Sequence, residues 1–283
     1  MYRCPLCQLP LQPSASGYQC VNRHQFDRAK EGYVNLLPVQ QKKSLDPGDS
    51  AEMIQARRRF LEAGFYQPLS DAVNKLLASV FTKSENFAIL DVGCGEGYYS
   101  QRLQQHVQHQ LALRDYSPTP TVTLYGIDIS KAAIKAAAKK YRQLQCAVAS
   151  SYQLPFADQS FAALLRIYAP SQSSELARVC QPNGWLCTVT PAPQHLIELK
   201  QQVYQEARLH SADIAEEAGF NHHQRQHLSW RWQPQSAAEL SQLLQMIPLG
   251  YRFTAEVKQQ LLEALPAVTL DFYLDLYQRD LSI

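Results

Sequence analysis

The stretch Ile89-Leu90-Asp91-Val92-Gly93-Cys94-Gly95-Glu96-Gly97-Tyr98 passes from an apolar run through three glycines into a helix-compatible segment. A short apolar run bounded by turn residues reads as a buried strand. Gly93 and Gly95 directly behind it let the backbone approach a ligand at the N-terminus of the helix that follows. The spacing is Gly-x-Gly-x-Gly, not the Gly-x-Gly-x-x-Gly of dinucleotide folds, and no Lys-Ser/Thr pair follows as a phosphate loop requires. Asp91 and Glu96 flank the turn. Carboxylates there repel a pyrophosphate and suit a cationic or hydroxyl-rich ligand.

Downstream, strands are expected over 87–92, 122–129, 145–149, 161–167 and 185–190, with helices over 98–107, 130–141 and 173–180. This alternation predicts an α/β fold with a parallel sheet covered on both faces. The second strand ends in Asp128, placed to accept hydrogen bonds from both hydroxyls of a ribose. The third ends at Ala149-Ser150-Ser151, which brings Ser150 to the same cleft. Upstream, Asp49 or Ser50 caps a helix over 51–61 that Gly64 stops, and a second helix covers 68–81. The tail reads as helices over 195–208, 236–247 and 255–265, with late strands over 228–232 and 269–277. Residues 108–121, with Pro118 and Pro120, read as a loop insertion. The expected organisation is a zinc-binding unit at 1–37, a helical linker at 38–86 and the α/β domain at 87–283.

The first unit is defined by its cysteines. Cys4 and Cys7 share a Cys-Pro-Leu-Cys turn, and Cys20 precedes His24 by four positions. Zinc takes four such ligands in a tetrahedron, usually as two pairs delivered by tight turns. A segment this short buries little core, so a structural metal supplies the stability that packing cannot. Ordinary buried thiols beside a surface histidine are the alternative. Cys94, Cys146, Cys180 and Cys187 are expected in core packing.

The 283 residues carry 27 Lys and Arg against 25 Asp and Glu, too even a balance to require a nucleic-acid partner. The positive charge is local: residues 1–59 hold nine basic and five acidic side chains, with Arg57, Arg58 and Arg59 consecutive. Tyr18, Phe26 and Tyr33 interleave with that charge, as an RNA-binding surface would. No apolar run approaches the roughly 18 residues needed to span a bilayer. The N-terminus lacks an apolar leader, and seven cysteines without an export signal point to a reducing, cytoplasmic compartment.

Asp-Val-Gly-Cys-Gly-Glu-Gly at 91–97, Asp128 and Leu154-Pro155-Phe156 resemble the signature of class I S-adenosylmethionine-dependent methyltransferases. The resemblance narrows with the Cys4/Cys7/Cys20/His24 knuckle, Arg-Ala-Lys-Glu-Gly-Tyr-Val-Asn-Leu-Leu at 28–37, Asp-Pro-Gly-Asp-Ser at 46–50, Gln-Ala-Arg-Arg-Arg-Phe-Leu at 55–61 and Ile167-Tyr168-Ala169-Pro170. Together these are similar to the bacterial 23S rRNA guanine-N1-methyltransferases over most of residues 2–200. The resemblance implies a Rossmann-like methyltransferase domain that binds S-adenosylmethionine and a knuckle that binds zinc and helps recognise 23S rRNA. It places donor contacts on Tyr66, Gly95, Glu96 and His195, and it implies a homodimer. Two departures are Asn183 before Gly184, where a glycine pair is expected, and the long 108–121 segment.

At the end of the fourth strand, Arg166-Ile167-Tyr168-Ala169-Pro170 lacks the Asp or Asn that amine-methylating enzymes carry before Pro-Pro-aromatic. Guanine N1 carries a proton that must leave, and a cation near O6 favours the anionic base. Arg166 is the candidate for that cation and Tyr168 for stacking on the base. Two other classes fit the same features. One is a noncatalytic zinc-containing RNA-binding or ribosome-assembly factor; the other is a small-molecule methyltransferase, which leaves the basic knuckle without a role.

Overall fold

In the computed structural model, short strands and tight turns occupy the first 37 residues. β1 (Gln12–Pro13), β2 (Gly17–Gln19) and β3 (Gln25–Asp27) form a three-stranded antiparallel sheet, and β4 (Val34–Asn35) leaves it to join the main sheet. The structure describes residues 1–41, 48–81, 85–114, 116–204, 206 and 208–280. Lys42, Lys43 and the Asp46-Pro47 of the motif lie outside them.

α1 (Ala51–Glu62) begins where Ser50 Oγ accepts the Met53 N–H at 3.2 Å. α2 (Gln67–Ser79) follows after Gly64 turns the chain at φ 86°. Then come β5 (Phe87–Val92), α3 (Tyr98–Ala112), β6 (Val122–Asp128), α4 (Lys131–Lys140), β7 (Gln145–Val148), β8 (Phe161–Ile167), α5 (Ser173–Val179) and β9 (Cys180–Pro191). α6 (Ile197–Lys200), β10 (Phe220–Trp232), α7 (Ala237–Met246), α8 (Ala255–Ala264) and β11 (Val268–Arg279) complete the chain. Among the described residues, eight strands make one sheet in the order β10-β11-β9-β8-β5-β6-β7-β4. The stretch from β9 to β4 is parallel, while β11 inserts antiparallel between β9 and β10.

Every residue of β5 is buried, as expected of a central parallel strand covered on both faces. After β5 the chain moves one way to β6 and β7, then returns to β8 on β5's other side. Ligands bind at such a switch point, beyond the carboxyl ends of the strands.

Three expectations change. α3 runs on to Ala112, because Val107 and Leu111 continue its buried face at i, i+4 spacing, so the loop begins only at Leu113. Gln108, expected in that loop, instead braces it from the helix, donating to Pro120 O at 2.9 Å and accepting from Val122 N at 3.0 Å. The helix expected over 195–208 shrinks to α6. Leu196 takes a left-handed φ of 59°, its N–H is claimed by Thr269 O, and the chain beyond Lys200 turns toward the cleft. Cys180 and Cys187 are completely buried, with burial pushing the Cys187 thiol up to about 12, as core packing requires.

Candidate functional site

The turn after β5 is stapled to the end of β6. The N–H groups of Gly93 and Cys94 both donate to Ile127 O at 2.9 Å. Gly95 N–H donates to Asp128 Oδ2 at 3.0 Å, and Ser130 N–H donates to Oδ1 at 2.8 Å. Burial raises the Asp128 carboxyl, and those two N–H groups oppose the rise. The glycines differ in what surrounds them. A Cβ on Gly93 (φ 77°) would lie 2.3 Å from Ala169 Cβ, whereas one on Gly95 (φ 57°) would meet nothing within 4 Å. Gly93 therefore permits close packing of two loops, and Gly95 faces open space. Gly93→Ala is expected to cost about 1–3 kcal/mol by overpacking, and more through its positive φ. A melting temperature equal to the parent's would refute this.

The open space is a cavity of about 1180 Å³, larger than the roughly 300–1,000 Å³ of ordinary small-ligand pockets. Asp91, Gly93, Gly95, Glu96 and Asp128 line one end. Asp49, Arg57, Leu61 and Tyr66, from the α1–α2 region, line a side wall. Tyr168, His195, Lys200 and His210 line the far end, and Met246, Ile247 and Leu249 add an apolar lip.

Burial pushes Asp91 up to about 7, against the pull of a 2.5 Å hydrogen bond from Ser100 Oγ. Burial also pushes Glu96 up to about 7, with Lys140 and Arg58 opposing. A cationic ligand binds the ionised acids better, so its affinity is expected to rise as pH climbs through about 7 and to level off above. Calorimetric affinities that are equal at about pH 5.5 and pH 8 would contradict it.

The N-terminal unit gathers the other set of polar groups. Two similar turns present Cys4, Cys7, Cys20 and His24, whose ligand atoms all lie within 4.8 Å of one another. Cys7 Sγ is 3.7 Å from Cys20 Sγ, and the Cys4 and Cys20 sulfurs are 3.4 and 3.5 Å from His24 Nδ1. Tetrahedral zinc, with bonds of about 2.3 Å to sulfur and about 2.0–2.1 Å to nitrogen, separates two sulfurs by about 3.8 Å and sulfur from nitrogen by about 3.6 Å. The residues present match those edges.

Two protein-family profiles match the chain: "RlmA, N-terminal" over residues 2–45 and "Methyltransferase domain" over residues 83–245. A Bacillus subtilis (strain 168) protein described as "Putative 23S rRNA (guanine-N(1)-)-methyltransferase YxjB" is 38% identical over 208 residues, covering 72% of this chain and 69% of its own. The chain belongs to the 23S rRNA (guanine-N(1)-)-methyltransferase family. A Micromonospora griseorubida protein of the same description is 35% identical over 70% of this chain and 68% of its own. The "23S rRNA (guanine(748)-N(1))-methyltransferase" of Streptomyces fradiae is 32% identical over 70% of this chain and 65% of its own.

The methyltransferase-domain match and the Cys4, Cys7, Cys20 and His24 cluster identify the cofactors as S-adenosylmethionine and zinc. The cleft fits the donor on two counts: Gly95 leaves a cradle that any side chain would fill, and the Asp128 carboxylate is already oriented by two backbone N–H groups. Tyr66, Gly93, Gly95, Glu96, Asp128, Tyr168 and His195 all line the cavity. Ser150 and Arg166 do not. Ser150 Oγ accepts the Tyr152 N–H at 3.2 Å, and its neighbours Ala149 and Ser151 face the cavity instead. Strand alternation explains Arg166: Ile167 faces the cavity, so its neighbour points to the other side of the sheet. There the guanidinium pairs with Glu217 and donates to Ser171 Oγ at 2.8 Å. The charge expected near an acceptor base is thus engaged elsewhere.

The basic trio of α1 also divides. Arg57 pairs with Asp49 and lines the cavity, Arg58 bonds Glu62 at 2.7 Å, and Arg59 is exposed. Asp49 and Arg57 were readable only as a cap candidate and as surface charge; their eight-residue spacing across the helix start was the available signal. Lys200 and His210, placed by sequence inside and just past a helix, carried none.

Asp128→Ala is expected to weaken donor binding by about 1.5–3 kcal/mol, because two hydrogen bonds to a carboxylate are lost. Calorimetry on a folded variant with unchanged affinity would sink the assignment.

Proposed function

We propose that the chain transfers a methyl group from S-adenosylmethionine to N1 of a guanine in a 23S rRNA hairpin loop. The donor brings an activated methyl group, so the chain's task is alignment of the acceptor. The observation that carries the reading is the single cavity running from the donor-binding turn to the half-exposed Tyr168. Its volume leaves room for a base beyond the donor. N1 faces the pairing partner in a duplex, so the guanine must be unpaired or flipped out to enter. Residues 38–86 contribute Asp49, Arg57, Leu61 and Tyr66 to the donor side. Residues 1–37 act as the RNA-recognition unit, with Arg28 exposed on its surface and its guanidinium 5.3 Å from the ring centre of the half-buried Tyr18. Residues 87–283 carry the chemistry.

In this reading Tyr168 stacks on the base. Its backbone φ of 55° and its 45% exposure suit a side chain held out into a cleft. Arg166 supports that loop through Ser171 and does not touch the base. Function in the cytoplasm and as a homodimer belongs to the same proposal; among the described residues no helix is long and apolar enough to cross a membrane. The test is mass mapping of methylated nucleotides in rRNA from cells with and without the protein. Loss of one N1-methylguanine supports the reading. Loss of an exocyclic amine or ribose methyl overturns it.

A further inference from the structure

The far wall of the cavity carries three rings in sequence. Tyr168 lies 6.2 Å from His195, and His195 lies 6.3 Å from His210, measured between ring centres. The two imidazoles have different surroundings. His195 is 7% exposed, packs 4.7 Å from the Phe272 ring, and accepts the Asp271 N–H at Nδ1. Its other nitrogen therefore carries the hydrogen, so the ring has no acceptor to offer. His210 is half-buried, lines the cavity and has no hydrogen-bond partner among the described residues. Lys200 also lines the cavity, and its Nζ is shut off from solvent and likewise without a partner among the described residues.

We propose that His210 is the proton acceptor of the methyl transfer, and that Lys200, whose buried Nζ lines the same cavity, is a positioning residue for it. The inference rests on the guanine-N1 reading above. His210 takes the proton from N1. The electron pair of the N1–H bond becomes the N1–CH3 bond, the pair of the broken sulfur–methyl bond stays on sulfur, and the positive charge moves from the donor to the imidazolium.

The electrostatics agree. Burial and then the Lys200 charge lower His210, so its ring is unprotonated at neutral pH. Burial, His210 and Lys200 drive His195 down to about 3, too weak a base to compete. Burial lowers Lys200 itself. The other titratable groups around His210 are Tyr168 from the end of β8, Tyr204, Glu206 and Arg208 on its own segment, and Asp271 of β11 behind His195. Asp271 is occupied by His227 at 2.6 Å and by the Gln194 N–H.

The experiment uses the full zinc-loaded chain, S-adenosylmethionine and an rRNA hairpin, in single turnover. His210→Ala and His210→Gln are expected to slow transfer about 10²–10⁴-fold, the range of a lost general base. S-adenosylhomocysteine affinity should stay within about twofold. Free imidazole should restore part of the His210→Ala rate and none of the His210→Gln rate, since the glutamine fills the space. NMR titration of the protein alone should show the His210 ring protonating below the ordinary histidine value, and Lys200→Met should raise it. Wild-type product mapping separates the two layers: a methyl group away from N1 overturns the parent reading. N1-methylguanine formed at an undiminished rate by His210→Ala, or the absence of imidazole rescue, overturns the assignment of His210 alone.

Discussion

Stripping zinc from the chain with a chelator is expected to lower the melting temperature of the whole protein by more than about 10 °C, since each 1 kcal/mol is worth roughly 2–4 °C at this size. Structural zinc contributes about 10–16 kcal/mol of apparent binding energy in isolated zinc-finger peptides, far more than the loss this forecast needs. The reason it spreads lies in how the ribbon is attached. Tyr2, Cys4, Leu11 and Cys20 share one apolar cluster with Leu90, Val92, Ile127 and Phe161 of the main sheet. Backbone bonds reinforce the join: Arg3 N–H to Pro155 O at 2.9 Å, Ala157 N–H to Met1 O at 2.8 Å and Leu36 N–H to Val148 O at 2.8 Å. A self-contained knuckle would unfold alone; this one shares its core with β5 and β6. Calorimetry of chelated and loaded protein decides the matter. A chelated chain that melts within about 1 °C of the loaded one would show the ribbon to be independent.

Arg166→Ala is expected to destabilise the fold by about 3–5 kcal/mol, the cost of leaving a buried charge without its partner. Glu217, with 5% of its side chain exposed, would keep only the Ser173 hydroxyl at 2.7 Å. The double variant Arg166→Ala/Glu217→Gln should recover part of the loss, because it removes the stranded carboxylate. The pair also braces the loop after β8 that carries Tyr168, since the Arg166 guanidinium donates to Ser171 Oγ at 2.8 Å. Methyl transfer should therefore fall along with stability. A slow variant with an unchanged melting temperature would instead restore Arg166 to direct chemistry.

The core of the fold was legible because fully buried parallel strands read as unbroken apolar runs. β5 and β8 fall at their expected bounds, 87–92 and 161–167. β10 was legible only over its last five residues. Its first part, Asn221-His222-His223-Gln224-Arg225-Gln226-His227, is polar and mostly exposed. Pairing with β11 holds it in place, together with Asp275, which takes His222 at 2.9 Å and Arg225 at 2.8 Å. No local pattern announces a strand stabilised by its neighbour's acids. The short β1 to β4 were hidden for the same reason, since zinc ligands and long-range pairing fix them, not propensity.

The site divides along the same line. The donor turn and the zinc ligands sit in compact motifs, where spacing alone conveys geometry. The far end of the cavity is assembled from residues 168, 195, 200 and 210, which strand alternation and loop routing bring together. Arg166 shows the limit: one position along a strand reverses the face, and a short sequence motif does not report which face the cavity occupies.

The position of β11 bears on how the molecule is made. β11 follows both of its neighbours in the chain, yet it is inserted between them, with β9 on one side and β10 on the other. It supplies the Asp271 N–H that orients His195, the Asp271 O that accepts from Ala192 N, and the Thr269 O that pins Leu196. Until β11 has been made, the chain holds the turn after β5 but lacks one wall of the cleft. The glycine turn can therefore form first, and the far side of the cleft closes only when β11 has been threaded into the sheet.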